Sequence, residues 1–203
     1  RGEKLGPEHS DTLTSLKVLG AIKDSAGKFA DAERLYGEVL ATRRRFLPAG
    51  DPLIAGSIDD LAGVLSRDGR YSEAEPMLRE ALAIRRKVLD KDHPDLNTTM
   101  VNLSRTLRNQ GKLDEAEPLM REGLAAGRRH FGNQHMSVAV DLNYMPAILQ
   151  DKAEYDEAAL CFDESKSIRI ALLGEVHPLV AVGFHNLGNL RLKQSRWDDA
   201  ERA

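Results

Sequence analysis

One phrase of this sequence recurs after a fixed interval of 42 residues. EAEPMLREAL at 73–82 returns as EAEPLMREGL at 115–124. The same interval separates five similar linkers, each of which ends in His or Asp; they start at residues 5, 47, 89, 131 and 173. A repeat of constant length indicates one supersecondary unit copied along the chain, and this constrains the fold more than any local pattern does.

The apolar spacing inside one unit predicts two helices joined by a turn. In the third unit the first helix has apolar residues at i, i+4, i+7 and i+11, which are Leu96, Met100, Leu103 and Leu107. Gly111 suits the left-handed residue that ends a helix, and a second helix begins near Leu113. Ala116 and its copies are small enough for two helix backbones to approach closely. Because one helix pair cannot bury both apolar faces, the copies must stack, and we predict an all-α fold, an α-solenoid.

These units resemble a known family. The order L-x-x-L-small in the first helix, followed by G-[KR]-[FYL]-x-[DE]-A-E, is similar to the tetratricopeptide repeat. The 42-residue period and the L-G-x-x-H-P linker at 173–178 resemble its kinesin-light-chain or nephrocystin-like subclass. The resemblance implies a right-handed superhelix of tandem helix-turn-helix units, with a protein-binding groove on the concave side. It covers 1–203 as a single array of slightly under five repeats.

Both ends of the sequence cut a repeat. Residues 1–4 align with the end of a second helix, and 196–203 stop inside another one. Solenoids normally carry capping repeats with a polar outer face. We therefore expect a fragment of a longer protein, whose uncapped ends favour self-stacking.

Composition and charge exclude several kinds of partner. Lys and Arg number 29 against 32 Asp and Glu, which leaves a net charge of −3 and no general attraction for nucleic acid. Apolar stretches such as 179–184 fall far short of the roughly 18 residues that span a bilayer. We expect neither a nucleic-acid nor a membrane partner. The single cysteine, Cys161, is compatible with a reducing compartment such as the cytoplasm.

The sequence offers no catalytic constellation, and we predict that this chain is not an enzyme and needs no cofactor. Four histidines occupy the same linker position in successive units, too far apart to share one metal ion, and we expect them to pack or cap helices; they are His9, His93, His135 and His177. Cys161 aligns with core positions of the other units, which predicts a buried apolar residue rather than a nucleophile.

Prolines mark three positions inside predicted helices. If Ser72 caps the second helix of its unit, Pro76 and Pro118 lie at the edge of a first turn, where a lost N–H costs least. Pro146 instead falls in the middle of a first helix, which predicts a kink or break near Leu142 and a local change of groove curvature.

Basic runs close three of the second helices, at 43–45, 85–87 and 128–129. Cations there complement the negative helix terminus, which favours a solvated edge. The alternative is a basic strip that docks an acidic partner.

Function is expected where the copies differ but face one surface. In the family that these units resemble, first helices line the concave groove, and this places ten candidate peptide-binding residues there: Asn102, Arg105, Arg108, Asn109, Asn143, Gln150, His185, Asn186, Asn189 and Lys193. Amides can hold an extended backbone, and cations can pair with acidic groups. The second unit differs, with Asp59, Asp60 and Arg67.

We therefore hypothesise a scaffold that binds an extended, acidic peptide, with or without an aromatic anchor, across the third to fifth units. The alternative for each of these residues is a solvated concave surface that binds no ligand. A sensor or oligomerisation arm of a larger signalling protein is the second class of function.

Overall fold

The structure is a computed structural model that describes the backbone of residues 9–202 and the side chains of residues 9–195. Over this range the regular structure is helical only: α1 (Ser10–Ser25), α2 (Phe29–Phe46), α3 (Pro52–Arg67), α4 (Tyr71–Val88), α5 (Pro94–Asn109), α6 (Leu113–Phe131), α7 (Met136–Asp151), α8 (Tyr155–Leu173) and α9 (Pro178–Arg202). The predicted all-α solenoid of helix-turn-helix repeats is confirmed. The predicted unit start at residue 5 and the helix end at 1–4 lie outside the described residues.

The chain divides into two compact units, Arg1–Lys91 and Asp92–Ala203. From here on, the first and second unit are these two parts of the chain, and the 42-residue copies are called repeats. In the first, α1 packs on α2, α2 on α3, and α3 on α4. In the second, the same order of neighbours runs from α5 to α9, and α5 also contacts α7 directly. Within each unit the helices therefore pack on their neighbours in sequence, which is how stacked hairpins bury the faces that one pair leaves open.

The small residues that recur every 42 positions lie where helices cross. Ala32, Ala74, Ala116 and Ala158 all have no exposed surface. Ser104 Oγ donates a hydrogen bond of 2.6 Å to the carbonyl oxygen of Ala116, so a short side chain of α5 reaches the backbone of α6 at this point. The prediction of a close helix approach is confirmed.

The turns inside the hairpins need a left-handed residue. Gly27, Gly69 and Gly111 have φ of 70°, 83° and 76°, as predicted. Ala153 occupies the same position between α7 and α8 with φ 61°. A residue with a Cβ atom pays a steric penalty there that glycine avoids.

We expect Ala153→Gly to raise the free energy of unfolding of the second unit by about 0.5–1 kcal/mol. Gly111→Ala, at the equivalent turn of the same unit, should lower it by about 1 kcal/mol. Urea unfolding of both variants checks the pair. A fall in stability for Ala153→Gly would contradict the steric account.

The predicted capping role of Ser72 is wrong. α4 begins at Tyr71 after Arg70, whose side chain makes no capping hydrogen bond, so Pro76 lies inside the helix rather than in its first turn. Pro118 lies at the matching place in α6. The carbonyls that lose a backbone partner belong to Ser72 and Asp114, both exposed, so water can replace the missing N–H.

The predicted break of the helix that contains Pro146 is also wrong. α7 continues as an α-helix from Met136 to Asp151 through the proline. Leu142 and Met145 are buried, and packing on both neighbouring hairpin helices holds the segment although the Leu142 carbonyl has lost its N–H partner. The bend and the change in groove curvature stay predictions.

The second helix predicted at 196–203 is not separate, because α9 runs unbroken from Pro178 to Arg202, through Ser195 at the position of the turn glycine in other repeats. Serine lacks the freedom of glycine to take a left-handed φ.

The basic runs lie in the last turns of α2, α4 and α6, as predicted. They are less solvated than expected, because several of their side chains bind neighbouring helices. Arg44 pairs with Glu80 at 2.7 Å, and Arg128 pairs with Glu164 at 2.7 Å. Arg85 is buried. The described residues therefore do not form a free basic strip at these positions.

Candidate functional site

The odd-numbered helices of the second unit carry all ten candidate residues. α5 contacts α7, and side chains of α7 and α9 bind each other. We call this surface, formed by α5, α7 and α9, the A-helix face. Two cavities open on it, and six of the ten candidates line one or the other.

The first cavity has a volume of about 330 Å³ and is formed mainly by α5 and α7. We call it the α5–α7 cavity. Candidates Asn102 and Arg105 line it, together with Pro94, Asn97, Thr98, Val101, Phe131, Met136, Ser137, Val140, Asp141 and Tyr144.

Arg105 is the exposed cation of this cavity. Its guanidinium carbon lies 4.4 Å from the centre of the Tyr144 ring, a cation–π arrangement that fixes the side chain across the two helices. No ion pair to Arg105 is present among the described residues. Its positive charge is therefore held in place but left without a carboxylate.

The second cavity, of about 470 Å³, is lined by four further candidates: Gln150, Asn186, Asn189 and Lys193, with Phe162 and Leu192. We call it the α7–α9 cavity. Lys193 Nζ donates to Gln150 Oε1 at 3.1 Å, and Asn186 Nδ2 donates to Asn143 Oδ1 at 3.1 Å. Two hydrogen bonds between side chains thus join α7 to α9.

The other candidates lie outside the cavities. Arg108 is neutralised by Asp151, to which its Nε donates at 2.7 Å. Asn143 Oδ1 accepts from Asn186, and a ring nitrogen of His185 lies 2.9 Å from Asn189 Nδ2. Asn109 is exposed near the end of α5. The structure therefore gathers most of the candidates on one face but removes Arg108 as a free cation.

Sequence reasoning missed two polar residues at the α5–α7 cavity, Asn97 and Asp141. Both are 6% exposed, and Asn97 Nδ2 donates to Asp141 Oδ2 at 2.9 Å. Burial raises the pKa of Asp141, and the hydrogen bond from Asn97 partly opposes that rise. The signal that could have found them is Gly127, which stands where other repeats have Arg43, Arg85 and Arg169.

The acidic and basic residues noted in the second 42-residue repeat, Asp59, Asp60 and Arg67, do not form an open groove. Asp59 is buried against Arg85, whose Nη1 donates to its Oδ2. Asp60 pairs with Lys17 at 2.7 Å, and Arg67 pairs with Asp24. These charges join helices of the first compact unit by ion pairs.

The linker histidines cap helices, as predicted. Nδ1 of each accepts from the backbone N–H two residues later, at 3.1–3.2 Å, in His9, His93, His135 and His177. This hydrogen bond satisfies one of the N–H groups that every helix start leaves open.

Cys161 is partly buried against the core around Val138, Leu142 and Ile168. Burial and nearby Glu157 and Glu164 raise its thiol pKa to about 11, so the thiol stays protonated near neutral pH. Within the described residues no group of three His, Cys, Asp or Glu side chains could hold a metal ion. No helix of that part of the chain combines the length and apolar character needed to cross a membrane.

Two tetratricopeptide repeat models match the sequence, one over residues 12–52 and the other over residues 54–129. No curated protein sequence gives a significant match. Among solved structures, the Podosopora anserina putative kinesin light chain nearly identical TPR-like repeats are 22% identical; the match covers 98% of this chain and 93% of that one, with a TM-score of 0.79.

BtubC (BKLC) from P. vanneervenii is 26% identical over 95% of this chain and 76% of that one, with a TM-score of 0.79. A Rap protein complexed with Competence and Sporulation Factor is 13% identical over 97% of this chain and 57% of that one, with a TM-score of 0.74. The two repeat models together cover more than half of the sequence. The chain therefore belongs to the tetratricopeptide repeat family, and its repeats are of the kinesin-light-chain-like kind.

Proposed function

We propose that this protein is an interaction scaffold whose A-helix face binds an extended, acidic peptide segment of a partner protein. The repeats of its family support a role in protein–protein interaction. The Rap protein that shares its fold was solved with Competence and Sporulation Factor, which supports a peptide as the form of the partner. The acidic character is inferred from this chain's own residues.

Arg105 carries the proposal. Its guanidinium is ordered over Tyr144 and has no carboxylate partner among the described residues, so it can pair with an acidic side chain without first breaking an ion pair. Because the side chain is already held, less rotamer entropy is lost when it binds. Lys193, which donates to the neutral Gln150, offers a second positive charge at the α7–α9 cavity.

The amides between these two cations suit an extended backbone. Asn102 and Asn186 each carry two N–H donors and a carbonyl acceptor, the same groups that a peptide bond offers in reverse. Asn186 uses one donor on Asn143, which orients its amide and leaves capacity for a ligand. An extended segment could therefore form hydrogen bonds with α5 and α9, the helices of the A-helix face that carry these two asparagines.

The test is direct binding. Fluorescein-labelled peptides that combine Asp or Glu with one Tyr or Trp are titrated against the native protein and the Arg105→Glu variant by fluorescence anisotropy. Reversing a charge that forms a charge-assisted hydrogen bond should weaken binding by about tenfold or more.

Arg34→Glu is the matched control, since this α2 side chain is 68% exposed and lies in the other unit. It changes the net charge equally and should alter the dissociation constant by less than about twofold. Equal affinities for the native protein and Arg105→Glu would sink the proposed site.

A further inference from the structure

An arginine near the end of the second helix recurs every 42 residues and reaches the next hairpin. Arg43 Nη1 donates to the Leu53 carbonyl oxygen at 2.9 Å and to Ser57 Oγ at 2.8 Å. Arg169 Nη1 donates to the Leu179 carbonyl oxygen at 3.1 Å. In two hairpin junctions the same register position therefore places a guanidinium against the start of the following helix.

The third repeat lacks this arginine and has Gly127 in its place. Ser57, which receives the Arg43 guanidinium, corresponds in register to Asp141. A Cβ atom built on Gly127 would lie 3.4 Å from Asp141 Oδ2 and 2.9 Å from Asn97 Nδ2. Asp141 thus stands where its counterpart meets a cation, but within the described residues its side chain meets the neutral amide of Asn97.

The lack of a cation matters because Asp141 is almost fully buried. Ionised carboxylates are seldom buried without a positive partner or several hydrogen-bond donors, since desolvation disfavours the charge. In the first unit the buried Asp59 has such a partner in Arg85. No ion pair to Asp141 is found among the described residues, and Asn97 is the hydrogen-bond donor that contacts it.

The surroundings of Asp141 can accept an arginine side chain. The α5–α7 cavity, which Asp141 lines, has a volume of about 330 Å³. Val101, Met136 and Val140 form apolar wall, which suits the methylene stem of a long basic side chain. A planar guanidinium also matches a carboxylate with two parallel hydrogen bonds.

We propose that the α5–α7 cavity receives an arginine side chain of the bound peptide, whose guanidinium pairs with Asp141 as Arg85 pairs with Asp59 within the chain. This inference rests on the proposed peptide-binding function and adds a defined residue to the ligand. The preferred segment then carries acidic residues for Arg105 and Lys193 and one arginine for the cavity.

The probe is a capped amino acid, N-acetyl-arginine N-methylamide, which needs no extended peptide. It is titrated into the 15N-labelled protein and followed by NMR. Saturable amide shifts are expected at Val101, Val140 and Tyr144. The neutral isostere N-acetyl-citrulline N-methylamide should bind about tenfold more weakly, because it lacks the charge. No saturable shift, or equal shifts with the two probes, overturns the proposal.

Two variants test the role of Asp141. Asp141→Asn keeps the volume and an acceptor for Asn97, so it should fold, and it should bind the arginine probe about tenfold more weakly. The double variant Asn97→Ala/Gly127→Arg restores the pattern of Ala55 and Arg43 and fills the position from within the chain. It should keep the helical circular dichroism and lose the probe shifts; undiminished probe binding in both folded variants overturns the proposal.

Arg105→Glu separates this inference from the proposed function. It should weaken the acidic peptides but leave the arginine probe at least as strongly bound, because it removes a like charge from the same cavity. If Arg105→Glu leaves acidic-peptide binding unchanged while the arginine probe still binds, the acidic ligand alone is refuted. If the native protein binds the acidic peptides but not the arginine probe, the arginine pocket alone is refuted.

Discussion

Arg85→Met should destabilise the first unit by about 3–5 kcal/mol, the typical cost of breaking a buried ion pair from one side. Arg85 and Asp59 are 4% and 8% exposed, and Arg85 Nη1 donates directly to Asp59 Oδ2. Methionine keeps much of the side-chain volume but leaves the carboxylate of Asp59 buried without the guanidinium. Native-state hydrogen exchange of α3 and α4 amides measures the loss.

The neighbouring Arg86→Met is the matched control, because Arg86 is exposed in the same turn of α4. Its effect should stay within about 0.5 kcal/mol. Adding Asp59→Asn to Arg85→Met should recover part of the stability, since the buried charge is then gone. If Arg85→Met and Arg86→Met cost the same, the buried pair does not stabilise this unit as we infer.

Leu142→Ala should cost the second unit about 2–5 kcal/mol, as expected when a buried leucine leaves a cavity. Leu142 is 1% exposed and belongs to a cluster with Val138, Ala139 and Ile168. Its own carbonyl already lacks the backbone bond that Pro146 cannot donate. We therefore expect hydrogen exchange to accelerate along α7 beyond the general loss of stability.

Met100→Ala provides the comparison, because Met100 holds the same register position in α5, a helix with serine where α7 has proline. It should lower stability within the same range without selective opening of its helix. Equal local opening of α5 and α7 in the two variants would show that packing around Leu142 does not compensate for the proline.

The features that sequence predicted well are those fixed by the repeat register. Gly111 and Ala116 recur at positions where only small or flexible residues fit, so their roles follow from periodicity alone. The histidine caps could be predicted for the same reason, since each precedes a helix start. When a residue recurs at the same position of several repeats, its structural role can be inferred from all of these copies together.

Features that depend on contacts between helices could not be predicted in this way. The sequence does not show that Arg108 meets Asp151, 43 residues later, or that Asp59 is buried with Arg85. Continuity of α7 through Pro146 likewise depends on the packing energy of its neighbours, which no local propensity contains. Of the candidate site, its face could be predicted, but the pairing of its charges could not.

Peptide binding on the A-helix face is the central claim, and amide-shift mapping tests it most directly. An acidic peptide that binds in the anisotropy assay is titrated into the 15N-labelled protein. The account predicts that the largest shifts fall on α5, α7 and α9, around Arg105, Asn186 and Lys193. Shifts centred instead on α6 and α8, or the same map after Arg105→Glu at equal affinity, would contradict it.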